Sequence, residues 1–457
     1  MTRYAGMRVV VVGLGASGFA AARALLELEA KVKVTDDSGG ALVAQRAATL
    51  RSSGADVEIG GHDLDALDGD LAVISPGVPP GAPVVRALIR MGIPVIGEVE
   101  LAWRLARCDF LAVTGTNGKT TTTSLLAAML ADSGIPSLAA GNIGLPLVEA
   151  VARVPAGGAI AVEVSSFQLA AIDAFRAKVA VVLNIAEDHT DWHGSSDEYW
   201  RAKARIVENQ TPDDVFLPNL EDERVVAMAA STRGRVAPFS ATRPPTPGGA
   251  RIGVRGSTIV WRDEPLMSLG EIALPGAAGA EDVVAAAGAA LEYGIDRNAV
   301  IGAASAFRPL RHRLETIAES GGVRYIDDSK ATNPHATLAA LHGMRDVVLI
   351  AGGRSKGIDL APLAGAASAL IAVVALGEAA EEIRDVMGAS VPVDVVRSMD
   401  EAVSAAQARS IPGGSVLLSP ACASLDMYTS YAERGDAFAR AVRAMTAQEG
   451  RPSGNES

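Results

Sequence analysis

The chain of 457 residues holds only two cysteines, Cys108 and Cys422, far apart and outside any CxxC spacing. That excludes a disulfide framework and gives no sign of a structural zinc site, and it points to a reducing compartment. Basic residues are in deficit, 41 Lys and Arg against 53 Asp and Glu, for a net charge of −12. A broad nucleic-acid surface needs clustered positive charge, so no nucleic-acid partner is expected and any anionic ligand must be met by local cations. No apolar run reaches the roughly 20 residues of a membrane helix. The alanine-rich stretch at 361–380 is interrupted by Gly377 and Glu378. The N-terminus passes from MTRYAGM into the strand-like RVVVVGLG without the apolar core and small-residue cleavage site of a signal peptide. A soluble cytoplasmic protein without membrane association is therefore expected. No internal repeat of solenoid period is visible.

The most informative stretch is FLAVTGTNGKTTTTSLL at 110–126. It reads as a strand, a glycine-rich turn carrying a lysine, and a helix opening in threonines, which is how a nucleotide-phosphate cradle is built. Successive backbone amides of Gly115, Thr116, Asn117 and Gly118 are expected to face one concavity. Lys119 reaches the β and γ phosphates, Thr120 holds Mg²⁺ at the helix start, and Thr121 follows. The loop is shorter than the general G-x-x-x-x-G-K-[ST] pattern, since Val113 stands where the first glycine would be. ATP is the expected nucleotide.

Elsewhere β-branched runs alternate with helical segments, which makes parallel sheets covered by helices, an α/β protein. Length and a hydrophobic content of 49% suit about three domains. Residues 7–13, 31–35, 71–75 and 93–96 form the first set of strands, with GLGASG after the first and Asp36 closing the second. This is a dinucleotide fingerprint, which taken alone predicts a nicotinamide-dependent oxidoreductase, but such turns also serve other nucleotides or none. A second set carries the phosphate loop and then AIAVEVSS, whose Glu163 at a strand end suits a Mg²⁺ ligand. KVAVVLNI follows and delivers AEDHTDWH, and the helical EYWRAKARIVE presents Lys203. His189 and His193 are four apart, but their acidic neighbours Asp188 and Asp191 favour a harder cation than zinc, and His193 reads as a cap or surface residue. Residues 242–250 read as an exposed hairpin or disordered tip between short strands. A third β/α set places DDSKATN, GGRSKG and SPACASLDM at strand ends, where open α/β sheets bind ligands. A tail from about 448 reads as disordered. From the residues alone, a nucleotide hydrolase without a carboxylate acceptor stays open beside the oxidoreductase.

GTNGKT, GNIGLP, EVSSFQL, NIAEDHTDWH, RHRLE, DDSKATN, GGRSKG and SPACASLD occur in the order found in Mur ligases, and the chain resembles that family, in its D-glutamate-adding branch, over nearly its whole length. The resemblance implies a Rossmann-like N-terminal domain for a uridine nucleotide (1–97), a central P-loop ATPase-type α/β domain (98–308), and a Rossmann-like C-terminal domain for the incoming amino acid (309–457). It implies an ATP-dependent ligase, acting as a monomer, that joins D-glutamate to UDP-N-acetylmuramoyl-L-alanine through an acyl phosphate in peptidoglycan precursor synthesis. Catalytic roles fall on Lys119, His189, Lys203 and Lys330. Two Mg²⁺ sites are implied, Thr120 and Glu163 serving one, His189 and a carbamylated Lys203 the other. Asp282, His312, Arg313, Asp328 and Lys330 join the phosphate loop at ATP. Ala16, Ser17, Asp37, Ser38, Ser75, Gly77, Asn142 and Ser165 match the UDP-substrate contacts, and Thr332, Lys356, Ser424, Leu425 and Tyr431 the D-glutamate pocket. Two departures stand out: Asp37 and Ser38 occupy positions where relatives often carry threonine and arginine, and Asp282 stands at the last asparagine of a usual G-x-H-N-x-x-N segment.

Overall fold

The computed structural model describes residues 3–449 except 187, 189, 275 and 356. The chain divides into two compact units, one formed by residues up to Ile185 with Trp192–Leu269 and Asp282–Ser305, the other by Ala186–Asp191, Gly270–Glu281 and the chain from Ala306 on.

The first unit contains three sheets. Strands β1 (Arg8–Val12), β2 (Lys31–Asp36), β3 (Asp56–Ile59), β4 (Leu71–Ile74) and β5 (Val95–Gly97) make a parallel sheet in the order β3-β2-β1-β4-β5. Strands β6 (Asp109–Thr114), β7 (Ser137–Gly141), β8 (Ala159–Glu163), β9 (Val179–Val182), β10 (Val215–Pro218) and β11 (Arg235–Val236) make a second parallel sheet, ordered β11-β10-β9-β6-β8-β7. The uninterrupted runs RVVVV, AIAVE and VAVV suit strands buried on both faces, as parallel strands are. One apolar core runs from Val9 and Val34 on the first sheet through Val99 and Leu101 to Val162 and Val182 on the second.

A small antiparallel sheet, β12 (Ile252–Arg255), β13 (Thr258–Trp261) and β14 (Glu264–Ser268), completes this unit. The segment 242–250 precedes this sheet rather than joining two of its strands. It closes on itself, Thr246 N donating to Ala250 O (3.2 Å) and Gly249 N to Thr246 O (3.0 Å).

The second unit has one six-stranded sheet of β15 (Glu315–Ser320), β16 (Val323–Asp327), β17 (Val347–Gly352), β18 (Leu370–Leu376), β19 (Val393–Val395) and β20 (Ser415–Leu418), in the order β15-β16-β20-β17-β18-β19. Only β15 runs antiparallel. Separate apolar clusters cover its two faces. The C-terminal helix Tyr431–Glu449 continues two residues into the expected tail; the rest of that tail lies outside the described residues. Among the described residues no helix is long and apolar enough to cross a membrane.

Candidate active site

The phosphate loop leaves β6 at Thr114 and enters the helix Lys119–Asp132. Gly118 has φ +83°, and a Cβ there would lie 2.4 Å from Asp282 Oδ1 and 2.9 Å from Leu183 Cδ1, so both backbone and space demand glycine. Lys119 Nζ donates to the carbonyls of Gly115 (2.9 Å) and Thr116 (2.7 Å). The expected run of amides from Gly115 to Gly118 needs correction. Thr116 N donates to Asn184 O (2.9 Å) and Asn117 N to Asn184 Oδ1 (2.9 Å), so these two amides brace the loop against the end of β9. Asn184 was missed in the sequence, where its signal was a polar residue closing the apolar run KVAVVLNI. Thr120 and Thr121 lie in the first turn of the helix, and Thr122 Oγ1 donates to the buried Asp282 Oδ1 (3.0 Å). Asp282 is thus seated against the loop.

Beside β6, strand β8 ends at Glu163, which is buried. Its Oε1 accepts from Asn142 Nδ2 (2.9 Å), while Oε2 has no hydrogen-bond partner among the described residues. A buried carboxylate oxygen left unpaired is costly, and a carboxylate with a threonine hydroxyl is the hard-oxygen set that Mg²⁺ takes. The residues present fit the ion.

Lys203 is 2% exposed, which rules out a solvated helix lysine. Its Nζ donates to Gly115 O (2.8 Å), approaches Thr114 Oγ1 (3.5 Å) and lies 4.7 Å from the centroid of the Tyr199 ring. Tyr199, also missed in the sequence, pairs its hydroxyl with Thr116 Oγ1 (3.1 Å). His189 lies outside the described residues. His193 is neither a cap nor a surface residue: it is half-buried, stacks on Phe167 at 5.5 Å, meets Trp192 and Tyr199 edge-on, and shares a hydrogen bond with Ser166 Oγ (2.9 Å).

At the end of β1 the GLGASG turn packs so tightly that a Cβ on Gly18 would meet Gly13 O at 1.9 Å. Ala16 and Ser17 open the helix Ala16–Glu27, and Ser75 Oγ donates to Gly13 O (3.0 Å). An acid that reads a dinucleotide ribose must offer its oxygens to the ligand. Here Asp36 Oδ2 accepts from Leu14 N (2.5 Å) and Oδ1 from Ser38 N (2.7 Å), so the carboxylate holds the turn instead. Asp37, Ser38 and Gly77 lie in exposed loops after β2 and β4. Asn142 N donates to Glu163 O (2.9 Å), and Ser165 forms a capping box with Gln168 on the helix Ser166–Leu169.

In the second unit, DDSKATN leaves β16. Asp328 is buried, and burial pushes its carboxyl up to about 7, although Ser419 Oγ donates to its Oδ2 (2.8 Å) and Arg313 acts in the opposite sense. His312 Nδ1 pairs with the buried Asp327 Oδ2 at 2.7 Å; a Cβ on Gly435 would meet that ring nitrogen at 2.2 Å, so the helix Tyr431–Glu449 makes room for the pair with a glycine. Lys330 Nζ lies 3.9 Å from the centroid of the Tyr431 ring, a close cation–π contact. Ser424 is buried, Thr332 half-buried, and Leu425 is 54% exposed. Lys356 lies outside the described residues. Arg434 is buried, and its guanidinium donates to Ser329 Oγ (3.0 Å), Ser329 O (2.8 Å), Cys422 O (3.0 Å) and Gly352 O (3.3 Å). It joins the loops that follow β16, β17 and β20, and burial lowers its pKa to about 10.

Three family descriptions match in succession: Mur ligase MurD-like N-terminal domain at residues 7–97, Mur ligase middle domain at 113–290, and Mur ligase glutamate ligase domain at 312–422. A UDP-N-acetylmuramoylalanine–D-glutamate ligase from Frankia casuarinae is 44% identical over 96% of this chain and 95% of its own length. The chain belongs to the Mur ligase family. A ligase of the same name from Geobacillus kaustophilus is 40% identical over 96% of this chain and 98% of its own. Among solved structures, the MurF ligase of Thermotoga maritima in complex with ADP superposes with a TM-score of 0.61 at 12% identity, covering 98% of this chain and all of that one. UDP-N-acetylmuramate-alanine ligase MurC from the same organism gives 0.60 at 18% identity, over 96% and 100%. At such identities these likenesses speak for the fold, and it is the three-domain α/β fold of Mur ligases.

Proposed function

We infer that this Mur ligase joins D-glutamate to UDP-N-acetylmuramoyl-L-alanine at the expense of ATP, giving ADP and phosphate, as a step of peptidoglycan precursor synthesis. The observation that carries this reading is the 44% identity, over nearly the whole of both chains, to an enzyme of that name. The domain boundaries are 1–97, 98–308 and 309–457, and the working form is a cytoplasmic monomer.

A carboxylate is a poor acylating group because oxide would have to leave. One of its oxygens therefore attacks the γ-phosphorus of ATP, the bond to ADP breaks, and an acyl phosphate forms. The amine of D-glutamate, having lost a proton, attacks the acyl carbon, and phosphate departs with its bonding electrons. Both steps gather anions, so fixed cations and oriented donors are the main requirement. Lys119 meets the β and γ phosphates. Asp282 steadies the loop through Thr122, and His312, Arg313, Asp328 and Lys330 complete the ATP contacts. Ala16, Ser17, Asp37, Ser38, Ser75, Gly77, Asn142 and Ser165 bind the nucleotide substrate. Thr332, Lys356, Ser424, Leu425 and Tyr431 receive D-glutamate, with the Tyr431 ring as an aromatic wall.

Thr120 and Glu163 hold one Mg²⁺, and His189 with a carbamylated Lys203 a second; when bound, the ions neutralise phosphate charge and orient the reacting carboxylate. Carbamylation leaves Lys203 Nζ one hydrogen, enough to keep its bond to Gly115 O, while supplying a carboxylate in place of a cation.

The test is phosphate release from ATP with Mg²⁺ and UDP-N-acetylmuramoyl-L-alanine, offering D-glutamate, L-glutamate, D-alanine or meso-diaminopimelate. Release that needs both the nucleotide substrate and D-glutamate is expected. Turnover indifferent to either would mark a plain nucleotide hydrolase and remove the assigned pocket.

A further inference from the structure

The glycine turn after β1 holds donors that the fold does not use. Gly13 N donates to Thr35 O (2.9 Å) and Leu14 N to Asp36 Oδ2 (2.5 Å), but the amides of Gly15, Ala16, Ser17 and Gly18 meet no acceptor among the described residues. Every helix start leaves such amides, so they alone decide nothing. Arg46 adds a second observation. It projects, half-buried, from the helix Ala41–Ser52, and its Nη1 donates to Leu14 O (3.0 Å). Its Cζ lies 5.9 Å from the centroid of the Phe19 ring, on the helix that the turn opens. These two contacts fix the guanidinium against the turn, and the Leu14–Gly15 peptide places Nη1 within about 5 Å of the Gly15 nitrogen.

That carbonyl is the only acceptor Arg46 meets among the described residues, and no carboxylate there pairs with it. Arg23, at the same 5.9 Å from Phe19, differs in being paired with Glu27 (3.7 Å). The positive charge of Arg46 and the N–H groups on its Nε and Nη2 are therefore uncommitted. The turn itself is short of positive charge: GLGASG and the DDSGG that follows β2 carry two acids and no base. A diphosphate brought to this place needs a cation from another segment, and Ser38 has none to give. Arg46 supplies one, in a planar fork that suits phosphate oxygens.

We propose that Arg46 is a substrate-binding residue, the cation that meets the pyrophosphate of the nucleotide substrate. Phosphate oxygens take the uncommitted guanidinium N–H groups together with the amides at the helix start, while Leu14 O and Phe19 hold the arginine in place beforehand. The inference rests on the ligase reading for the nature of the substrate, and adds to it a cation where the residues assigned to that substrate include none.

The test is calorimetric titration of the full chain with UDP-N-acetylmuramoyl-L-alanine, with ADP and Mg²⁺ present and D-glutamate absent so that no turnover occurs. Arg46→Ala and Arg46→Gln should bind it about 10–100-fold more weakly than the parent, the loss of a charge-assisted contact. Arg46→Lys, which keeps the charge without the fork, should stay within about fivefold. Raising NaCl from about 25 to about 300 mM should weaken the parent and Arg46→Lys more than the two neutral variants, a difference that a mere brace on Leu14 O would not produce. Unfolding midpoints of the variants close to the parent's report that they are folded. Binding by folded Arg46→Ala within about twofold of the parent, Arg46→Gln equal to Arg46→Lys, or one salt dependence for all four proteins would overturn the proposal. Phosphate release by the parent judges the ligase reading separately. Release that needs the nucleotide substrate and D-glutamate, with undiminished binding by Arg46→Ala, refutes the role of Arg46 alone, whereas a parent that neither binds the nucleotide nor releases phosphate refutes both.

Discussion

Gly435→Ala isolates the pair of His312 and Asp327. A Cβ at this position would lie 2.2 Å from His312 Nδ1, 2.8 Å from His312 Cε1 and 2.7 Å from Asp327 Oδ2. Ordinary contact distances are more than 0.5 Å longer, so the imidazole must recede and the 2.7 Å bond cannot survive. Asp327 is fully buried and would keep one partner, the Ser329 amide at 2.9 Å. Losing a hydrogen bond to a buried carboxylate costs about 1.5–3 kcal/mol, and crowding a packed site adds about 1–3 kcal/mol. Against this, alanine in a helix gains about 1 kcal/mol over glycine. The net expectation is a loss of about 1.5–5 kcal/mol, which lowers the unfolding midpoint of a unit of this size by about 3–20 °C. Because His312 and Arg313 are assigned to ATP, the KM for ATP should rise as well. Thermal unfolding followed by circular dichroism, with steady-state kinetics on the same preparation, checks both. A midpoint that stays or climbs, as for an unhindered glycine-to-alanine change in a helix, refutes the reasoning.

Gly118→Ala should lower kcat/KM for ATP by about 100-fold, since φ +83° and the 2.4 Å approach to Asp282 both oppose a side chain; near-normal phosphate release would contradict this. Asp282→Ala should raise the KM for ATP by less than tenfold, within ~1.4 kcal/mol, and an unchanged KM would take Asp282 out of the site. Lys203→Ala should be inactive and partly restored by acetate, because the carbamate's contribution is a carboxylate; rescue by alkylamines instead would speak for the unmodified ammonium. Asp328 has its folded pKa raised to about 7, so its contribution to stability is complete below the unfolded value near 3.8 and is lost as pH rises through 7. Asp328→Asn, which cannot titrate, should therefore gain on the parent between about pH 5 and pH 8, and urea midpoints that keep a constant difference across that range would rule this out.

Where local chemistry decides, the chain was readable. The turns GTNGKT and GLGASG declared themselves through glycines that nothing else can replace, and apolar runs such as VVLIA announced parallel strands buried on both sides. The antiparallel β15, ETIAES, escaped notice because it is an edge strand, half polar, specified by its pairing with β16 rather than by its own pattern. Lys203 sits in EYWRAKA, a stretch that reads as a solvated helix; a Tyr199 ring and a phosphate-loop carbonyl bury it, and that carbonyl lies 88 residues away in the sequence. Asn184 bracing Thr116 and Asn117, and Gly435 clearing space for His312, are likewise effects of distant segments. Those facts live in tertiary contacts, to which no window of sequence gives access.

Arg434 has a consequence for anyone who would change the amino acid this ligase accepts. Its guanidinium is the common fastener of the loops after three strands, held through the Ser329 hydroxyl and the carbonyls of Ser329, Gly352 and Cys422. Exchanging any one loop for a relative's displaces an anchor point of the other two, and a buried cation that loses a carbonyl has no water to turn to. Redesign of this region is therefore a four-piece transplant, three loops together with the helix that carries the arginine, and single-loop chimaeras should fail in folding before they reveal anything about specificity.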